Sequence, residues 1–297
     1  MSNIVETVTP APTLGFAFIR AIKSFALLRE STPGMVGAGL VLFWVIVAIL
    51  APLIAPFDPL ATLQPMAKPG TEFVKGGTFW LGTDHLGRDI LSRIIFGSQT
   101  VLFYAPLATV FAYTLGILMG LAAGYHLGWW DIVLSRISDI ILSFPVLVLY
   151  IIIIATIGSS GINIIIAITF ASAPGIMRIV RGLVLDLRNR EYVAAAQTRG
   201  ESSLYIMLVE ILPNARGPLI VDACLRLGYV IITIGVLGFL GLGLPPPDPD
   251  WGGMINETRK MAMIFPHMTI FPCIAISSLI LGFNLLADGL REVSLRD

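Results

Sequence analysis

The side chains able to do chemistry are few and badly placed for it. The three histidines, His85, His126 and His267, fall at no ligand spacing, and Cys224 and Cys273 sit in apolar runs without a CxxC pair. Neither a zinc site nor a disulfide framework is expected from such spacing. No stretch reads GxxxxGK[ST], so a backbone cradle for nucleotide phosphates is missing. Asp222 and Arg226 lie four apart, where they can pair on one helical face; the structural reading is an ion pair near a helix end. The most ordered pattern is REYVAAAQTRGESSLYIMLVEILPNARGPLIV, residues 190–221, which contains no nucleophile–base or metal-ligand set. Its features are mechanical. Tyr192–Arg199 is a good helix former, and Gly200 breaks it at a position tolerant of positive φ. Ser202 and Ser203 can cap a second short helix over Leu204–Leu212, which Pro213 and Pro218 are expected to end. Two short helices on a glycine elbow form a knob, and Ala194, Ala195 and Ala196 leave room for a partner to approach.

The elements that hold this knob are written in hydropathy. Of the 297 residues 56% are hydrophobic and only 13% charged, with a mean hydropathy of +0.87. A soluble chain carries about 25% charged residues, so a soluble enzyme is excluded. Nineteen basic residues balance nineteen acidic ones, which indicates no nucleic-acid partner. A crossing helix needs about 20 apolar residues. Spans of that kind are expected near 35–55, 100–124, 138–158, 162–180, 218–244 and 266–287, giving an all-α integral membrane protein of six helices. Alternating ten-residue β patterns are lacking, which excludes an outer-membrane barrel. Residues 1–34 form an N-terminal segment, and 35–297 a single transmembrane domain. Within the segment Phe16, Ile19, Ile22 and Phe25 repeat at helical spacing, with Arg20 and Lys23 between them. They suit a short helix on the membrane surface, against lipid, or an early start to the first span. The first span is too long for a signal-peptide core and reads as an uncleaved anchor.

With the N-terminus inside, thirteen of the nineteen Lys and Arg fall on inner segments, which places both termini in the cytoplasm. Asp139, Asp222 and Asp288 then lie near inner ends and leave the midplane uncharged, which disfavours an ion-coupled carrier. A membrane-embedded hydrolase is disfavoured by the missing acid–base set. The second span repeats a small residue every four positions (Ala108, Ala112, Gly116, Gly120, Gly124). The fifth carries Gly228, Gly235, Gly238, Gly241 and Gly243. Either stripe serves packing within the chain or contact with a second transmembrane subunit. Pro145 and Pro174 should kink the third and fourth spans. Asp84 is read as an N-cap with Gly87 as a bend, Pro245-Pro246-Pro247 as a stiff extended segment, and Trp251 as an interfacial anchor.

At this point the chain resembles a known family. Ala195 and Ala196, Gly200, Leu212 and Pro213 fall on the positions of the EAA motif of binding-protein-dependent ABC importer permeases. Two residues depart from it: Ala194 stands where that family has glutamate, and Glu210 where it has isoleucine. LGTDHLGRDILSR (81–93), FLGLGLPPPDPDWGGMINETR (239–259) and LGFNLLADGLREVSLRD (281–297) are similar to segments of the C-type permease subunit of dipeptide and oligopeptide importers. The resemblance implies a type I ABC importer permease fold in the bacterial plasma membrane, multi-pass, needing no cofactor. It implies that the loop near 190–213, through Ala195, Ala196, Gly200, Leu204, Leu212 and Pro213, docks on an ATPase subunit. The expected partners are a homologous second permease, two ATP-binding subunits, an extracytoplasmic solute-binding protein and a peptide-like solute. ATP would be hydrolysed by the separate subunits, not by this chain. Cargo alternatives within the same machine are a nickel chelate, glutathione or an opine-like solute.

Overall fold

The computed structural model describes residues 31–294; the surface-helix expectation for Phe16–Phe25 lies outside them. Ser31 opens the first helix, its hydroxyl accepting from Gly34 N at 3.4 Å, with a proline in the first turn where no N–H is missed. This helix, α1, spans Thr32–Ile54. A loop follows, with a two-stranded antiparallel hairpin, β1 (Thr71–Glu72) and β2 (Thr78–Phe79), folded over Phe57, Phe73 and Phe79. The remaining helices are α2 (Ile90–His126), α3 (Gly128–Leu142), α4 (Val146–Ile157), α5 (Gly161–Leu187), α6 (Glu191–Thr198), α7 (Ser203–Phe239), α8 (Trp251–Thr258) and α9 (His267–Ser294). Following the chain through them puts the hairpin and α8 at one end of the bundle, the hairpin end. It puts α6 at the other, the knob end.

Among the described residues α1, α2, α5, α7 and α9 are each long and apolar enough to cross a membrane. The sixth crossing differs from the expected straight helix over 138–158. It is a pair, α3 and α4, bent by 89° across Ser143–Pro145. Pro145 does more than kink it. Residues 128–142 also carry charge: Asp131 takes both Arg181 Nε (2.5 Å) and Nη2 (2.6 Å), and Asp139 takes Arg178 Nη2 (2.6 Å), so α3 is tied to the knob end of α5.

The alanine–glycine stripe of α2 is spent inside the chain. A Cβ at Gly116, Gly120 or Gly124 would come within 2.6, 2.5 and 2.8 Å of Ile176, Val180 and Val184 on α5. The stripe on α7 is likewise internal: Gly228 lies against Asn284, Gly235 against Ile276, and Gly238 against Asp250 and α8. The α2 stripe, and Gly228, Gly235 and Gly238 of the other, are thus used for packing within the chain, while Gly241 lies exposed beyond the end of α7. Small residues let helix backbones approach where no hydrophobic force separates protein from lipid. Outward faces hold Leu42, Phe43, Ile46 and Leu53 on α1 and Phe103, Val110 and Phe111 on α2, all exposed, as a lipid or protein neighbour requires.

Candidate coupling knob, hairpin-end cluster and mid-helix cavity

The elbow forms as expected. Helix α6 stops at Thr198, and Gly200 takes φ of +79° with no atom within 4 Å of where a Cβ would sit. Backbone conformation, not crowding, therefore demands glycine here. Ser202 caps the next helix, accepting from Tyr205 N at 3.3 Å. That helix does not end at Pro213. Residues Ile206–Ile211 form a π turn, in which Leu212 N donates five residues back to Met207 O. The wider turn admits Pro213, whose missing N–H would otherwise break the ladder. The helix continues to Phe239, and Pro218 lies within it. The knob is thus the base of one 37-residue helix, roughly 55 Å long, that reaches the opposite end of the bundle.

The named knob residues divide. Ala196 is fully buried with Val193, Ile206, Met207 and Ile211 in a core shared with α2 and α5, so it fixes the knob to the bundle. Ala194, Ala195 and Leu204 face outward, Pro213 is exposed, and Leu212 is half-buried. Glu210 accepts from Arg199 Nη2 at 3.2 Å, an ion pair across the elbow.

At the hairpin end two segments that are 169 residues apart in sequence meet. Arg88 donates to Asp84 Oδ2 through Nε at 2.6 Å and to Glu257 Oε2 through Nη2. Arg93 is buried with its Nη2 3.8 Å from the same Glu257 carboxylate. Asp84 does not cap α2. It closes the turn at Gly87 by accepting from Leu86 N (2.9 Å) and Arg88 N (3.0 Å), while Asp89 is the N-cap, accepting from Ser92 N at 2.8 Å. Trp251 is no interfacial anchor. It is fully buried, donating from Nε1 to Ile94 O at 3.0 Å, stacking edge-on against Trp44 and lying over Gly97. The proline run turns at Pro246–Pro247, a cis peptide bond, instead of extending as a rod. Asp250, outside the crossing helices, caps α8 by accepting from Gly252 N (3.2 Å) and Gly253 N (3.0 Å). Burial pushes its carboxyl up to about 6.

Between the two ends lies a small cavity of about 40 Å³ among α2, α4, α5 and α7. Its walls include Tyr113, Tyr150, Ser172, Arg226 and Thr233. Arg226 Nε donates to Asp222 Oδ2 at 2.8 Å, and the same oxygen accepts from Tyr113 Oη. The sequence reading places this pair near a helix end. In the longer α7 it lies midway, with Arg226 roughly 20 Å short of Phe239. The i,i+4 spacing was the only signal for this group; nothing in the sequence showed that Tyr113 and Tyr150 join it.

This arrangement can be set beside known proteins. Residues 112–296 match the model of the binding-protein-dependent transport system inner membrane component, and residues 24–69 that of the N-terminal TM domain of oligopeptide transport permease C. A glutathione transport system permease protein of Escherichia coli is 39% identical over 89% of this chain and 86% of its own. A dipeptide transport system permease protein of Alkalihalophilus pseudofirmus is 38% identical over 91% of this chain and 88% of its own. In fold, a chain from inward-facing conformations of the MetNI methionine ABC transporter aligns with a TM-score of 0.56 at 18% identity, covering 69% of this chain and 97% of that one. The chain belongs to the family of binding-protein-dependent transport system inner membrane components, the permease subunits of ABC importers.

Proposed function

We propose that the chain is one of two transmembrane subunits of an importer that carries short peptides inward, glutathione-like peptides included, and that residues 190–213 couple it to ATP hydrolysis on separate subunits. The relatives named for glutathione and dipeptide transport support peptide cargo. The observation that carries the coupling role is the continuity of α7. The knob bears outward-facing Ala195 and Leu204 and is the foot of a single helix that runs past the cavity to the hairpin end. A push on the knob by a closing ATPase pair moves the whole helix as a rigid lever. Ala196 and Val193, buried beneath the knob, pass the same push to α2 and α5. The knob end is assigned to the cytoplasm from the excess of Lys and Arg there. The hairpin end is assigned to the side of the solute-binding protein.

Two measurements test this. In a cysteine-free background an impermeant thiol reagent applied to intact spheroplasts should label Thr71→Cys but not Ser203→Cys; the reverse pattern overturns the orientation. Gly200→Asp places a side chain at a positive φ, at a cost of about 1–2 kcal/mol, and adds a charge beside the docking face. Membrane abundance should stay normal while uptake is lost. Wild-type uptake with the ATPases still bound would remove residues 190–213 from the coupling role.

A further inference from the structure

The cavity at Arg226 is unlike the rest of the bundle's interior. A guanidinium and six hydroxyl-bearing side chains stand midway along helices that are otherwise apolar, where ionisable side chains are rare and mark solute or ion paths. Arg226 is held by Asp222 and Tyr113. Nε is committed to Asp222 Oδ2, and Tyr113 Oη donates to the same oxygen. The terminal nitrogens lie toward α5 beside Gly175, 3.5 and 3.6 Å from where its Cβ would sit. Ser172, one turn earlier on that helix, faces Tyr150 Oη at 3.5 Å. Arg226 and Asp222 side chains keep 24% and 22% of their surface, so the group is reachable. One turn along α7, Tyr229 is 65% exposed, so the cavity opens onto a face that none of the described helices covers.

We propose that this cavity is a way-station on the solute path that receives a carboxylate of the peptide-like cargo, with the terminal nitrogens of Arg226 as the fork and Ser172 and Tyr150 as flanking donors. The inference rests on the importer reading above and adds what the path recognises. A guanidinium edge presents two parallel N–H groups that match the two oxygens of a carboxylate. Asp222 serves two ends. It balances the arginine's charge while the site is empty, and it makes the arriving anion bind weakly, as a passage site must if the solute is to leave again. A lipid phosphate is the other anion of similar chemistry, but head groups lie at the membrane surface and not midway along the crossing helices.

The test uses the complete importer, purified with its partner subunits. Phenylglyoxal modification of Arg226 is followed on its peptide by mass spectrometry with tri-alanine, tri-alanine amide or phosphatidylglycerol added. Tri-alanine should slow the labelling several-fold and its amide should not. Equal labelling with acid and amide, or protection by the lipid alone, overturns the proposal. In proteoliposomes Arg226→Gln should lower the tri-alanine imported per ATP by about tenfold, the worth of one charged hydrogen bond, and Arg226→Lys should recover part of it. If Arg226 serves only to neutralise Asp222, the double variant Asp222→Asn with Arg226→Gln restores the wild-type ratio, and the proposal fails. A wild-type importer that takes up no peptide would refute the cargo reading instead, because the labelling experiment needs no transport.

Discussion

At the hairpin end Asp84, Arg88, Asp89, Arg93 and Asp250 are each at most 5% exposed, locked into one cluster that ties the loop before α2 to α8. At the knob end Arg199 is 55% exposed and Glu210 23%, and a Cβ at Gly200, between α6 and α7, would meet no atom within 4 Å. The first region buries its charges within the chain and pairs Arg88 with both Asp84 and Glu257, so its residues are bound to the fold. The second leaves polar and small side chains facing outward on a rigid mount, the form expected of a surface that a partner completes. Motifs of equal prominence in the sequence therefore differ in kind. Those at 81–93 and 239–259 are recognisable because they hold each other, and the one at 190–213 because it presents a shape.

Removing a carboxylate from the hairpin-end cluster tests this contrast most severely. Glu257→Ala leaves Arg88 with Asp84 alone and takes from Arg93 the closest acidic group it has. Breaking a buried pair from one side costs about 3–5 kcal/mol. The variant should melt well below the wild type in detergent, with little folded protein recovered. A melting temperature within a degree or two of wild type would show that the cluster is not what joins the two segments.

A second prediction moves to the shared interior. Gly120→Leu would drive a side chain into Val180 and the Met177 carbonyl, for which overpacking costs about 1–3 kcal/mol. The expected loss is one of stability, with assembly into the importer unimpaired in the molecules that fold. Selective failure to assemble would return the stripe to a subunit interface.

Asp250 adds a pH dependence at the hairpin end. Burial raises its folded pKa from the usual 3.8 to about 6. Between those values the folded state holds the proton and the unfolded state has lost it, so stability falls as pH rises from about 4 to about 6 and is level above. Asp250→Asn should remove that part of the slope between about pH 4 and 6. An unchanged slope would assign it to other groups.

How far the sequence could be read follows the same division. Five of the six crossings were legible because each needs only a long apolar run, and the elbow was legible because Gly200 sits between a helix former and a serine cap. The sixth was misread because hydropathy over 138–158 hides the break at Ser143–Pro145. The charges of Asp131, Arg136 and Asp139 just upstream were the warning. Pro213 reads locally as a terminator, since nothing nearby in sequence announces a π turn that can carry proline. Trp251 looked like an interfacial residue because burial under Trp44 and over Gly97 depends on helices far apart in sequence. Pairings such as Arg88–Glu257 are created by topology alone.

The smallest expected effect belongs to Glu210, one of the two departures from the family's motif. Its carboxylate meets Arg199 at 3.2 Å across Gly200, while Arg199 also approaches Glu201 at 3.7 Å. A pair this exposed contributes between zero and about 1 kcal/mol, so Glu210→Ala should shift the melting temperature very little. The same pair nonetheless bridges the elbow, holding α6 against the base of α7. If the knob is a rigid transmitter, loosening that bridge should reduce uptake per ATP hydrolysed more than it reduces stability. Glu210→Ile, which restores the family's residue, should lose the ion pair yet keep an apolar contact with the core beneath α6, and so transport better than alanine. Alanine and isoleucine variants that transport alike at wild-type efficiency would show that Gly200 and the buried Ala196–Val193 face hold the elbow without help. A drop in stability as large as that of Glu257→Ala would erase the difference between the two ends of the molecule.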